Sequence, residues 1–65
     1  MFSVGQELYL ETDLKRAKLA QLPVMVKYDD GEIADYGGPI QELNKDAVKI
    51  NGMYYTKATC RFYVR

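Results

Sequence analysis

The spacing of apolar positions changes twice along this chain. In Gln6–Thr12 apolar and polar residues alternate, with Leu8 and Leu10 on one side and Tyr9 and Glu11 on the other, which predicts a half-buried strand. Residues 13–22 (DLKRAKLAQL) lose the alternation. They hold no glycine and no β-branched residue, and helix formers dominate. Thr12 or Asp13 can cap a first turn with a side-chain oxygen, and Pro23 stops the segment. A helix of two to three turns is predicted over 13–22, with a long irregular loop as the alternative.

Beyond Pro23 the period is two again. Val24–Tyr28 predicts a strand. Asp29-Asp30-Gly31 predicts a turn in which Gly31 supplies the positive φ of a bulged hairpin, and Glu32–Tyr36 returns. Gly37-Gly38-Pro39 interrupts the pattern and marks a sharp bend or a strand change. Ile40–Leu43, a turn at Asn44-Lys45-Asp46 and a strand at Ala47–Ile50 follow. Asn51-Gly52 is the strongest hairpin signal in the chain. Met53–Val64 is the last strand region, either continuous or broken by a turn at Thr56–Thr59. The expected core is Leu8, Leu10, Val24 or Met25, Ile33, Ile40, Leu43, Val48, Ile50, Cys60, Phe62 and Val64.

Five or so short strands with tight turns predict a mainly β fold. The first choice is a small SH3-like antiparallel barrel, with the short helix or long loop at 13–22 as the connection after the first strand. The alternative is an α+β arrangement, one helix packed on an antiparallel meander. At 65 residues the chain is one domain, 1–65. A chain of this length buries only about 60% of its unfolded surface, so its stability is marginal without a partner.

Composition narrows the function more than it names it. With 48% apolar and 28% charged residues the chain is globular rather than disordered. Cys60 is the only cysteine, so no internal disulfide is available, which fits a reducing, cytoplasmic location. No signal peptide and no apolar run long enough to span a membrane is evident. The chain begins with Met1 and reads as a complete small open reading frame.

There is no histidine, which removes the commonest general base and zinc ligand. The single serine, Ser3, lies near the terminus with no base beside it, and Cys60 has no evident activating base. Its parity with Phe62 and Val64 places it in the core. The acids around Asp29-Asp30-Gly31-Glu32 and Asp35 lack the spacing of a calcium loop and read as a solvated hairpin. Gly37-Gly38 is too short to cradle a phosphate. Lys15, Arg16 and Lys18 read as a solvated helix face. The chain is therefore expected to be no enzyme and to carry no cofactor or metal.

Charge is balanced overall but segregated. Residues 29–46 carry six acids against Lys45, and residues 47–65 carry four cations and no acid. The plain reading is that neighbouring strands complement each other. The sharper reading is one basic and one acidic face. In NGMYYTKATCRFYVR (51–65) tyrosines interleave with cations. As one strand it would point Tyr54, Thr56, Ala58, Cys60, Phe62 and Val64 inward, leaving Met53, Tyr55, Lys57, Thr59, Arg61, Tyr63 and Arg65 outward. Tyr55, Lys57, Arg61, Tyr63 and Arg65 are thus the candidate binding residues. They suit a protein interface, where aromatics and arginine are enriched. The alternative is a nucleic-acid-binding barrel that stacks bases on the tyrosines and neutralises phosphates with the cations. Zero net charge and the acidic middle segment weigh against the second reading. The expectation is a small interaction module with a protein partner, no membrane contact, and strand edges open to pairing with further copies.

Overall fold

The computed structural model describes residues 2–65 as one helix and six strands. The helix α1 runs Glu11–Ala20; the strands are β1 Val24–Tyr28, β2 Ile33–Gly38, β3 Ile40–Leu43, β4 Ala47–Ile50, β5 Met53–Thr56 and β6 Cys60–Val64. They form two three-stranded antiparallel sheets: sheet A in the order β2-β1-β6, and sheet B in the order β3-β4-β5.

The chain crosses between the sheets at two corners. At Pro39, which has no N–H to give to a ladder, β2 leaves sheet A and β3 enters sheet B. At Lys57–Thr59 a turn carries the chain back, closed by a bond from the Thr59 N–H to the Thr56 carbonyl. The sheets are joined covalently at these corners, but among the described residues no ladder closes them into a barrel. A radius of gyration of 10.2 Å compares with roughly 10.7 Å for a compact domain of this length. No helix is long and apolar enough to cross a membrane.

Turn chemistry follows the residues. Asn51 and Gly52 adopt φ values of 52° and 80°, the two positive angles of a type I′ hairpin. Asn44 Oδ1 accepts from the N–H groups of Asp46 and Ala47 at 2.9 and 2.8 Å, which folds the β3–β4 connection. At the β2 corner Gly37 holds φ at +127°, and a Cβ on it would lie 3.2 Å from the Val24 carbonyl oxygen, which favours glycine.

Three expectations are corrected. First, residues 6–12 form no strand. Residues 5–8 instead lie along β6 through an isolated bridge between Glu7 and Tyr63 and bonds from Gly5 N–H to Val64 O, Leu8 N–H to Phe62 O and Val64 N–H to Gln6 O. The helix then claims Glu11 and Thr12. Leu10 becomes its N-cap and is exposed rather than core. Leucine has no side-chain acceptor, so the end is held from the other direction: the Leu10 N–H donates to Asp13 Oδ2 at 3.4 Å.

Second, the helix stops before Pro23 is reached. Gln21 turns left-handed, and the Leu22 N–H reaches back to the Ala17 carbonyl in a Schellman closure. Third, Ile33 is exposed at the start of β2, where two register shifts break the alternation. The core is one cluster in which Val24, Val26, Val48 and Ile50 are fully buried, and Leu14 and Ala17 bring in one face of α1. Leu8, Ile40, Cys60, Phe62 and Val64 join it, while Leu43 packs at its margin.

Candidate interaction surface

The 51–65 segment is split by the Lys57–Thr59 turn, and the turn resets its alternation. In β6 the expected parity holds: Cys60, Phe62 and Val64 are buried, and Arg61 and Tyr63 face out. In β5 it reverses. Tyr55 sits opposite the fully buried Val48 and packs against the core, whereas Tyr54 sits opposite Lys49 on the outer face. The five candidate residues therefore belong to four places.

Arg61 and Tyr63 lie on the outer face of sheet A. Register pairs Met25 with Tyr63 and Lys27 with Arg61, and Lys27 also faces Ile33 on β2. Two cations thus stand directly across a ladder, an arrangement that destabilises a sheet. Arg61 finds only loose partners, Glu7 at 3.8 Å and Asp29 at 3.7 Å, and its side chain stays 56% exposed. Lys27 has no carboxylate in reach among the described residues. Its Nζ lies 5.3 Å from the centre of the Tyr63 ring, within cation–π range. The result is a face on which Met25, Ile33 and a tyrosine ring surround two cations.

Lys57 is not part of it. Its ammonium donates to both Glu11 oxygens at 2.7 and 2.8 Å and to the Asn44 carbonyl at 2.6 Å, and the side chain is only 19% exposed. It ties the start of α1 to the β3–β4 turn. Arg65 is likewise engaged, its Nη1 donating to the Tyr36 carbonyl at 2.8 Å.

Tyr55 belongs to a polar junction between the sheets. Its hydroxyl donates to Asp35 Oδ2 at 3.0 Å, while Asp35 Oδ1 accepts from the Gly37 N–H at 2.9 Å and from Asn51 Nδ2 at 3.0 Å. Burial, with the bond to Asp35 adding to it, raises the Tyr55 phenol above its ordinary pKa. Tyr54 is raised too, chiefly by its hydrogen bond to Glu42. Lys49 lies 5.5 Å from the Tyr54 ring on the outer face of sheet B, as Lys27 does from Tyr63 on sheet A.

A cleft of about 280 Å³ opens beside Arg61, floored by Leu8, Leu14, Cys60 and Phe62 and rimmed by Glu7, Glu11, Asp29, Lys57 and Arg61. Cys60 is buried, with its sulfur 3.8 Å from Thr59 Oγ1 and no activating base against it. Among the described residues no group of three His, Cys, Asp or Glu side chains is placed to hold a metal ion.

The residues that sequence reasoning missed are Met25 and Lys27. Their signal was present, since in Val24–Tyr28 they alternate with the two core valines. What the pattern could not supply was the pairing of this strand with one that begins 32 residues after Tyr28, at Cys60. Comparison of the chain with protein-family models, with curated proteins and with solved structures returns no match in any of the three.

Proposed function

We propose that this chain is a small non-enzymatic interaction module that binds another protein through the outer face of sheet A, with Arg61 and Tyr63 from β6 and Met25, Lys27 and Ile33 beside them. The observation that carries the reading is the Lys27–Arg61 pair. Like charges set opposite each other in a ladder weaken the fold, and a domain of this size has little stability to spare. A surface that keeps them together, Lys27 without a carboxylate partner among the described residues and Arg61 with only loose ones, bordered by apolar and aromatic side chains, has the composition of a contact patch. The complementary partner surface is acidic with an apolar centre.

The architecture reads as an SH3-like half-open barrel: five strands when β2 and β3 are counted as one bent strand, the last returning beside the first. Fold alone does not name a partner. The single buried thiol supports a reducing, cytoplasmic setting. β2 and β5 stand at sheet edges, where a further copy could pair. The nucleic-acid reading has less support, because Lys57 and Arg65 are committed within the chain and, on this face, Lys27 and Arg61 are the cations left to meet phosphates.

The test is capture of a partner from host lysate on immobilised protein, with and without nuclease, using Arg61→Ala and Tyr63→Ala. Both variants should melt like the parent, since surface changes usually stay within about 0.5 kcal/mol. Each should weaken binding by about 1 kcal/mol or more. Retention of the partner by both variants at parental strength rejects this face as the site.

A further inference from the structure

A second surface lies away from sheet A, where α1 runs past β3. An open groove of about 540 Å³ separates them, lined by Glu11, Lys15, Lys18, Leu43, Asn44 and Lys45. Lys18 also lines a second cleft that continues along Gln41–Asn44. It lies one turn after the buried Leu14, at i+4, and is itself half-buried. Among the described residues Lys15, Lys18 and Lys45 form no ion pair, and none of their ammonium groups donates a hydrogen bond within the chain. The acid in the groove, Glu11, is already held by Lys57 at 2.7 Å. Three like charges converge on one concave site, one of them partly desolvated, with nothing to balance them. A bound anion would balance them.

We infer that this groove binds an acidic segment of a partner protein, its carboxylates meeting Lys15, Lys18 and Lys45 and an apolar side chain resting on Leu43. The lining favours a peptide over a nucleic acid. No aromatic ring or arginine lines the groove to stack a base. Leu43 offers an apolar seat that a peptide side chain can fill and a phosphate backbone cannot. The site shares no residue with the outer face of sheet A, so the two stand or fall separately.

The test uses a fluorescein-labelled peptide built of repeating Glu-Leu-Asp, read by anisotropy. The controls are the same peptide with its acids replaced by glutamine and asparagine, and an oligothymidylate of similar length. The acidic peptide should bind and the neutral one should not. The double variant Lys15→Glu/Lys18→Glu, checked by circular dichroism for a native fold, should weaken binding about tenfold or more. Lys45→Glu, which changes only a turn, gives the same reading if the helix variant fails to fold. Arg61→Ala should bind like the parent. The inference is overturned if the acidic peptide does not bind, if it binds no better than the neutral one, or if the lysine variants bind it unchanged. It is also overturned if oligothymidylate binds more tightly, with a log–log salt slope near −2, roughly 0.7 for each of three lysines.

Discussion

Asp35 is the residue whose removal tests the architecture most directly. It lies on β2, yet its carboxylate accepts from the Asn51 amide in the β4–β5 turn and from the Tyr55 hydroxyl on β5, as well as from the Gly37 N–H. Among the described residues no ladder closes the two sheets, and this carboxylate, with the Asn51 amide's further bond to the Gly37 carbonyl at 3.5 Å, forms a polar link between them. A hydrogen bond to a charged group contributes about 1.5–3 kcal/mol, less where water competes. Tyr55→Phe, which removes one bond from a half-buried pair, should cost about 1–2 kcal/mol. Asp35→Ala removes three acceptor contacts and should cost about 2–4 kcal/mol, most of what a chain this size has to lose. If the two residues act through each other, the double variant should show a coupling of about 1 kcal/mol. Urea unfolding followed by circular dichroism measures all four proteins. Alkaline pH gives a second reading. The Tyr55 phenol ionises at 10.0 in the unfolded chain and higher in the folded one. Its contribution is therefore complete below pH 10 and is lost as pH rises through the folded value. Tyr55→Phe should flatten that decline, leaving the part due to Tyr54, which shifts the same way. A coupling within about 0.3 kcal/mol of zero, or an Asp35→Ala cost no larger than the roughly 0.5 kcal/mol of a surface change, would refute the reasoning.

The remaining predictions concern the core, the thiol and a turn. Ile50 is fully buried, so Ile50→Ala should cost about 2–5 kcal/mol and unfold much of the population at room temperature; an unchanged melting temperature would show that its pocket collapses without loss. Cys60, 7% exposed, should resist a thiol reagent in the native protein and react at once in denaturant; fast native labelling would show that the adjoining cleft admits reagent to the sulfur. Gly52 holds φ at +80° with open space where a Cβ would go, so Gly52→Ala should cost about 1–2 kcal/mol through backbone strain alone, read as a lower urea midpoint at constant slope.

What could be read from sequence follows from the range of the forces involved. The hairpin at Asn51-Gly52, the turn at Asn44 and the break at Gly38-Pro39 are set by residues within a few positions of each other, and each lies where its composition places it. Leu10 and Ile33 were misplaced because alternation alone assigned them. The chain at 6–12 had only one neighbour to pair with, and α1 gained more by starting at Glu11. The β5 parity failed for a related reason, since a three-residue turn shifts every side chain beyond it by one face. Of the candidate site, Arg61 and Tyr63 were legible from period two. That Lys57 and Arg65 are bound within the chain was not, because their partners Glu11 and Tyr36 lie 46 and 29 residues away.

The final strand also dictates when this protein can exist as a folded object. β6 is the shared neighbour of β1 and of residues 5–8, and it supplies Cys60, Phe62 and Val64 to the core. Until residue 64 has been synthesised, β1 lacks one of its two partners and the first residues have nothing to lie against. Folding must therefore wait for the end of the strand, whatever precedes or follows it in a longer chain. Such distant pairings fold slowly, on the order of milliseconds to seconds. Stalled or truncated chains that stop within the Lys57–Thr59 turn would present β1 as an open, valine-rich edge, the form most prone to join another chain.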